Sequence, residues 1–442
     1  MTNEEREDKE HRQTPDPGRD SLIRDATEAR KELIDDILPF WLEHGMDTEY
    51  GGLLTGCDRR GSLVESDKSM WFQGRFAWIL STAYTDVSPS AEYLDAAASC
   101  VAFIERFGFR EDGRMWYRVT REGAPLRMRR YLFTECFACA AFAAYGEASG
   151  DASYVSKAVT VLKRILHYRD TPGLLEPKEV PGARPARGFA LPMILINVAQ
   201  TVRRALHRVP GADAGGVSRH PAVDGKDIDL TNYIIDESIE LISRYFVNER
   251  YRCVLEQCGP DGELLDHFEG RLLNPGHAIE GAWFLMEEAA TRRDGETEAN
   301  RTADDGEPPS RTAREIVSLA GRMLEWMWEW GWDREYGGLF YFRDAKGVSS
   351  PEYWHDMKFW WPHTEAMNAT LRAYDLTGER RYLDRYFEVK EWTYAHFPDR
   401  EYGEWFGYLH RDGSVSSDLK GTMFKGPFHI PRMLLTRASR SS

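Results

Sequence analysis

Residues 47–53 read DTEYGGL, residues 333–339 read DREYGGL and residues 399–405 read DREYGEW. Near-identity at three places in one chain points to a fold built from copies of one supersecondary unit. Each copy runs into a short extended stretch and then a turn with charged residues beside glycine, in DRRGSL, RDAKGV and HRDGSV. Residues 117–123 (YRVTREG), preceded by Glu111-Asp112-Gly113, and residues 258–262 (CGPDG) are weaker copies of the same pattern. Turn residues set between short apolar stretches predict β-hairpins, and helical periodicity fills the sequence between them.

The helical stretches alternate in character. Outer-type helices are expected near residues 21–44, 91–107, 151–169, 228–246, 310–330 and 380–397. Each is followed by a more apolar one, near 71–84, 134–148, 189–204, 277–290, 361–376 and 428–437. Six helical hairpins fill the chain, the arithmetic of an all-α (α/α)6 barrel: a toroid with inner and outer rings of helices and short β-hairpin loops at its mouth. One domain over residues 21–438 then suffices, after a disordered tail at 1–20. The Gly-, Pro- and charge-rich stretches at 209–227 and 292–311 read as disordered rim insertions.

Composition excludes several classes. The 442 residues are 42% hydrophobic and 29% charged, so a large core can close. A net charge of −15 is the wrong sign for coating phosphate backbones, so nucleic acid is not an expected partner. The longest mostly apolar run, 189–199, is too short to span a bilayer, and the polar first twenty residues do not resemble a signal peptide. A cytoplasmic location without membrane contact is expected. Six cysteines make no disulfide framework, and the CxxC spacing of Cys136 and Cys139 lies in an Ala-rich helix, where buried packing is the simpler reading.

The open end of such a barrel is the natural concave site. Polar and aromatic residues gather at the starts of the inner helices: Lys68, Trp71 and Arg75; Glu135; His277 and Glu280; Lys358, Trp360, Trp361, His363 and Glu365; His429 and Arg432. Arg75 and Glu365 each lie seven residues after a lysine in aligned copies of the repeat, so opposite charges hold equivalent positions. His277 with Glu280, and His429 with Arg432, share a helix face by i, i+3 spacing. Trp71, Trp360, Trp361 and Trp405 either fill the core or offer faces on which a pyranose ring stacks. His363, two residues before Glu365, is a further candidate for the mouth.

These residues carry a resemblance. KSMWFQGRFAW, PGHAIEGAW, KFWWPHTEAMNATLRAYDLTGE and the closing DREYGEWFGYLHRDG with KGTMFKGPFHIPRML resemble the N-acylglucosamine 2-epimerase family, sugar epimerases and isomerases on an (α/α)6 barrel. The likeness runs from about Phe40 to Arg437. It implies catalytic roles for His277 and His429, and substrate binding by Arg75, Glu280, Glu365 and Arg432. Trp361 and His363 join the substrate-binding set as lining of the mouth. The third inner helix reads RGFALPMILINVAQ, without the histidine of the cellobiose-epimerase branch, and so looks more like the acylglucosamine branch. That branch implies ATP as an activator that is not consumed, although no GxxxxGK[ST] loop is present.

The implied chemistry meets one difficulty: a C2–H of an open-chain sugar is too weak an acid for an imidazole of pKa about 6.5. Arg75, assisted by Arg432, is the candidate to stabilise the enediolate, while two histidines on opposite faces of C2 give epimerisation. No metal is required. Three other readings stay open: an aldose–ketose isomerase of the mannose/fructose type, a glycoside hydrolase using Glu135 and Glu365, and a non-catalytic barrel. A homodimer through the outer helices is also left open.

Overall fold

The computed structural model describes residues 17–129, 131–176, 182–212, 217–220, 223–295 and 311–441. Helix α1 starts at Pro17–Glu32 and runs through a π-helical turn, Leu33–Ile37, into Leu38–His44. It is followed by α2 (Met70–Asp86), α3 (Ala91–Phe107), α4 (Phe133–Ser149), α5 (Ala152–Asp170), α6 (Ala190–Arg208) and α7 (Asp227–Leu241). The remaining helices are α8 (Pro275–Gly295), α9 (Ala313–Gly331), α10 (Trp360–Thr377), α11 (Arg380–His396) and α12 (His429–Ala438). The even-numbered helices pack in sequence around a closed inner ring, with α12 returning to α2, and the odd-numbered helices pack outside.

Local chemistry sets these boundaries. Asp151 accepts the Ser153 N–H at 2.8 Å as the N-cap of α5, and Thr312 with Glu315 forms a capping box on α9. Gly150 and Gly378, both left-handed, end α4 and α10. Short turns join α4 to α5 and α10 to α11, so each inner helix packs most closely on the outer helix that follows it. The sequence expectation paired each inner helix with the outer helix before it, and the hairpin phase is therefore shifted. In consequence α1 has no preceding inner partner and packs on α12, where Arg437 donates to the buried Asp25 at 2.6 Å and closes the barrel.

The repeated motif is a buried ion-pair device. Asp47 accepts from Lys68 at 2.8 Å and from Arg121 at 2.8 and 2.9 Å. Asp333 accepts from Lys358 at 3.0 Å and from Arg411, and Asp399 pairs with Lys420 at 3.0 Å and with Arg59. Burial alone would raise these carboxyls, but the facing cations hold all three well below the usual range. Lys68 and Lys358, expected at the mouth, are fully buried inside these pairs. Lys358 is pushed down to about 8 by burial.

The same turn explains His363. In the first copy the Leu53 N–H donates to Gln73 Oε1 at 2.8 Å, and in the second the Leu339 N–H donates to His363 Nε2 at 2.8 Å. Gly52 and Gly338, both at positive φ, leave room for these groups, since a Cβ would lie 2.5 Å from Gln73 Oε1 or 2.9 Å from His363 Nε2. The third copy has Glu404 in the glycine position at φ 53°, and its own carboxylate accepts the Trp405 N–H at 2.6 Å. The left-handed strain of a non-glycine residue, of order 1–2 kcal/mol, is offset by that bond and by Lys425 at 2.5 Å.

The tail and insertions fall partly outside the described residues. Helix α1 begins at Pro17, inside the expected tail, and residues 1–16 are not described. Within 209–227 the strands Val217–His220 and Val223–Lys226 pair as a hairpin, a correction to the expectation of a structureless loop. The second insertion is shorter than expected because α8 extends to Gly295; residues 296–310 lie outside the described set. No described helix is long and apolar enough to cross a membrane. All six cysteines are buried and unpaired, Cys136 and Cys139 among them.

Candidate active site

The barrel axis is hollow at both ends. A cavity of about 850 Å³ opens among the C-terminal halves of the inner helices, where arginines are tied to carboxylates on neighbouring helices. Arg203 donates to Glu288 at 2.6 Å, Arg204 to Asp86 at 2.6 Å and Arg372 to Glu287 at 2.7 Å. These bridges lace the inner ring together. The second cavity, of about 530 Å³, opens among the inner-helix N-termini beneath the hairpin loops, and Arg75, His277, Glu280, Trp361, His429 and Arg432 all line it.

Two histidines dominate this second cavity, and each is held by a carboxylate. His277, near the start of α8, places Nδ1 3.0 and 3.1 Å from the two oxygens of Glu256. His429, the first residue of α12, has Nδ1 2.7 Å from Glu365 Oε1. Arg432 Nη2 also lies 3.3 Å from that nitrogen, but only a carboxylate oxygen can accept there, so Nδ1–H donates to Glu365 and Nε2 is left as the basic nitrogen. The Trp361 ring contacts both imidazoles, its centroid 5.1 Å from His277 and 5.6 Å from His429.

The environments drive the imidazoles apart. Burial lowers the pKa of His277, but the facing Glu256 overcomes it and leaves the group above its ordinary value. His429 falls well below its ordinary value through burial and the adjacent Arg432. At neutral pH, His277 therefore holds its proton more readily than His429, as suits a proton donor facing a base.

Arg432 carries a permanent charge into the floor of the site. It donates to Glu280 and lies 2.7 Å from Glu365. Glu280, Glu365 and His429 offer ligand atoms within 4.8 Å of one another, the geometry of a cation site, and the guanidinium already bonds both carboxylates of that group. Arg75 is different. Its guanidinium lies 4.1 Å from the Phe137 ring centre and 4.6 Å from that of Phe428, with no carboxylate of the described residues within ion-pair distance. Burial lowers its pKa to about 9, and its Nε has no partner. A cation held among aromatic rings without a counter-ion is arranged to receive negative charge.

Several sequence candidates stand elsewhere. His363 does not line the cavity: it is fully buried, pushed down to about 3, with Nδ1 2.6 Å from the Phe359 carbonyl and Nε2 capping Leu339. Glu365 is fully buried behind His429 and also accepts from Trp283 at 2.7 Å, so it orients the imidazole and does not face the space. Glu135 is bound to Arg114 at 2.7 Å and, like Glu365, is not part of the cavity wall, so the two do not face the space as a hydrolytic pair. Trp405 is core, donating to Glu32 at 2.9 Å. Trp71, Trp360 and Trp361 do line the cavity.

Sequence reasoning missed Glu256, which follows the strand Cys253–Val254 and meets His277 only because the fold brings that loop beside α8. It also missed Tyr341, Trp354 and Phe424 at the rim. Trp354 and Phe424 are 43% and 58% exposed, an aromatic entrance that a hydrophobicity pattern assigns to the core.

Comparison with known proteins agrees with this geometry. The family model for N-acylglucosamine 2-epimerase matches residues 41–209 and 225–429. The N-acylglucosamine 2-epimerase of Bos taurus is 34% identical over 406 residues, covering 91% of this chain and 87% of the relative. The human enzyme of the same name is 32% identical over 421 residues, covering 93% and 90%. The structure of cellobiose 2-epimerase from Spirochaeta thermophila superposes with a TM-score of 0.75 at 22% identity, covering 97% of this chain and 99% of that one. With the helical ring and the paired histidines in view, the chain belongs to the N-acylglucosamine 2-epimerase family.

Proposed function

We propose that the protein is a sugar 2-epimerase interconverting N-acylglucosamine and N-acylmannosamine by moving a proton at C2. The observation that carries this reading is the pair of carboxylate-held histidines, both in contact with Trp361, lining one cavity with Arg75. His429 Nε2 removes the C2 proton from one face of the open-chain sugar, and the His277 imidazolium returns one to the other face. The carbonyl oxygen develops negative charge as the enediolate forms, and Arg75 with Arg432, both packed among aromatic rings, receives it. Glu256 and Glu365 hold each imidazole with Nε2 toward the substrate. Glu280 binds a hydroxyl while steadying Arg432, and Trp361 closes one edge of the space that the reacting carbons occupy.

The histidines and arginines supply the whole proton transfer in this scheme. ATP is proposed as an activator that is not consumed, from the family likeness. The reaction is assigned to the cytoplasm, where six buried thiols stay reduced, and a homodimer is compatible with the free outer ring. The test is a product survey of N-acylated and free hexoses, with and without ATP, read by NMR. An N-acylhexosamine converted to its C2 epimer is the expected result. A ketose from a free aldose would make the protein an isomerase, and inert sugars throughout would remove the catalytic reading.

A further inference from the structure

We propose that a recess between α4 and α6, lined by neutral side chains, holds the N-acyl group of the substrate, with Met193 and Asn197 as its specificity-determining residues. The inference rests on the epimerase reading and adds the subsite. Proton transfer at C2 goes through a planar enediolate, so its two faces belong to His277 on α8 and His429 on α12. The groups attached to C2 lie in the plane between them. In that plane Trp361 on α10 closes one side, in contact with both rings. Arg75 on α2 takes another, where charge develops. The opening at the rim is left for the carbon chain. The remaining direction faces α4 and α6.

That wall is built for a bulky neutral group. Phe137 and Ala140 on α4, Met193, Asn197 and Val198 on α6, and Phe284 beyond them on α8 line this side, and none of the six ionises. Met193 approaches α8 across Gly281, where a Cβ would lie 3.4 Å from its side chain. Asn197 sits one turn deeper, at the level of Arg432, and contributes to both cavities. No hydrogen bond of the described residues engages its carboxamide. An amide that is half-buried and unpartnered beside apolar side chains matches an acylamino substituent: the chain lies against Met193 and Phe137, while the two amides exchange hydrogen bonds. A 2-hydroxyl would leave both the apolar wall and Asn197 unfilled.

The test compares N-formyl-, N-acetyl- and N-propanoyl-mannosamine in the wild type, in Ala140→Leu and in Asn197→Leu, with circular dichroism and melting to establish folding. A leucine at position 140 fills the recess, and adding methylenes to a hydrophobic pocket changes kcat/KM by roughly tenfold or more. Ala140→Leu is therefore expected to lose activity in order of acyl length, with the formyl compound least affected. Asn197→Leu is expected to lower kcat/KM for all three by at least about tenfold, mainly through KM. Equal loss across the acyl series in folded Ala140→Leu, or an unchanged KM in folded Asn197→Leu, overturns the subsite while wild-type epimerisation leaves the catalytic reading intact. A wild type that epimerises none of the three overturns both.

Discussion

Replacing Glu256 by glutamine isolates the contact that sets His277 apart from His429. The two heavy-atom distances of 3.0 and 3.1 Å put a carboxylate directly against Nδ1. At 3 Å and an effective dielectric of about 20, the carboxylate–imidazolium attraction is about 5 kcal/mol. Both side chains keep access to solvent, 31% for His277 and 23% for Glu256, which screens a good part of it. A charge-assisted hydrogen bond of about 1.5–3 kcal/mol is the realistic residue, equivalent to about tenfold or more in the protonation equilibrium. His277 acts as the acid, so activity falls as pH rises through its pKa. Removing Glu256 lowers that pKa, while Glu280 still favours the charged form and Arg75, His429 and Arg432 oppose it. The alkaline limb of the kcat/KM profile is therefore expected to move down, with the loss growing to about tenfold or more on its alkaline side and near-normal activity below the shifted limb. Carbon-13 labelling of histidine allows the His277 titration to be followed by NMR without turnover. An unmoved His277 titration, or a loss of activity that is the same at every pH, would refute the reasoning.

Further outcomes follow from other parts of the structure. Arg75→Lys is expected to recover little of the activity lost in Arg75→Ala, since a point charge does not reproduce a planar fork set among aromatic rings; steady-state kinetics giving near wild-type kcat in the lysine variant would make Arg75 structural. Asp333→Asn leaves Lys358 and Arg411 without their buried partner and is expected to cost about 3–5 kcal/mol in denaturant unfolding; a change below about 1 kcal/mol would contradict the ion-pair account. The carboxyl of Asp333 is held below its unfolded value, so its contribution is present above about pH 4 and is lost as pH falls further. The variant should accordingly show a weaker acid destabilisation than the wild type. Deleting residues 296–310 is expected to alter stability by about 1 kcal/mol or less and kcat by no more than a few-fold, because Arg292 donates to the Arg311 carbonyl at 2.7 Å and so already ties the two ends of that segment together. A large loss of turnover in the folded deletion would bring that segment to the active site.

The barrel was legible because the three DxEYG copies and the alternation of helical stretches state the repeat directly. The hairpin phase was not, since it depends on which turns are tight and on α1 packing against the last inner helix. His277, His429, Arg75 and Arg432 could be found because charged groups at the first turns of apolar helices break a pattern. His363 breaks the same pattern for another reason: it caps a backbone N–H in a turn, as Gln73 does in the first copy, and the two residues share no obvious chemistry in sequence. Glu256 carried no signal, being an ordinary acidic residue in a loop, and its meaning arises only where the chain brings that loop beside α8. Lys68 and Lys358 misled for the opposite reason, since a lysine in a repeat suggests exposure while these two are buried beside aspartates.

The most direct test of the two-base mechanism is to incubate N-acetylmannosamine with the enzyme in deuterium oxide and read C2 by NMR for the wild type, His277→Ala and His429→Ala. The expected wild-type result is N-acetylglucosamine carrying deuterium at C2, without ketose. Each alanine variant, folded by circular dichroism, is expected to lose epimerisation by at least about a thousandfold, since each removes a general acid or base that no neighbouring group replaces. Epimerisation without C2 label, or near-normal turnover in either histidine variant, would contradict proton transfer by two histidines on opposite faces of C2.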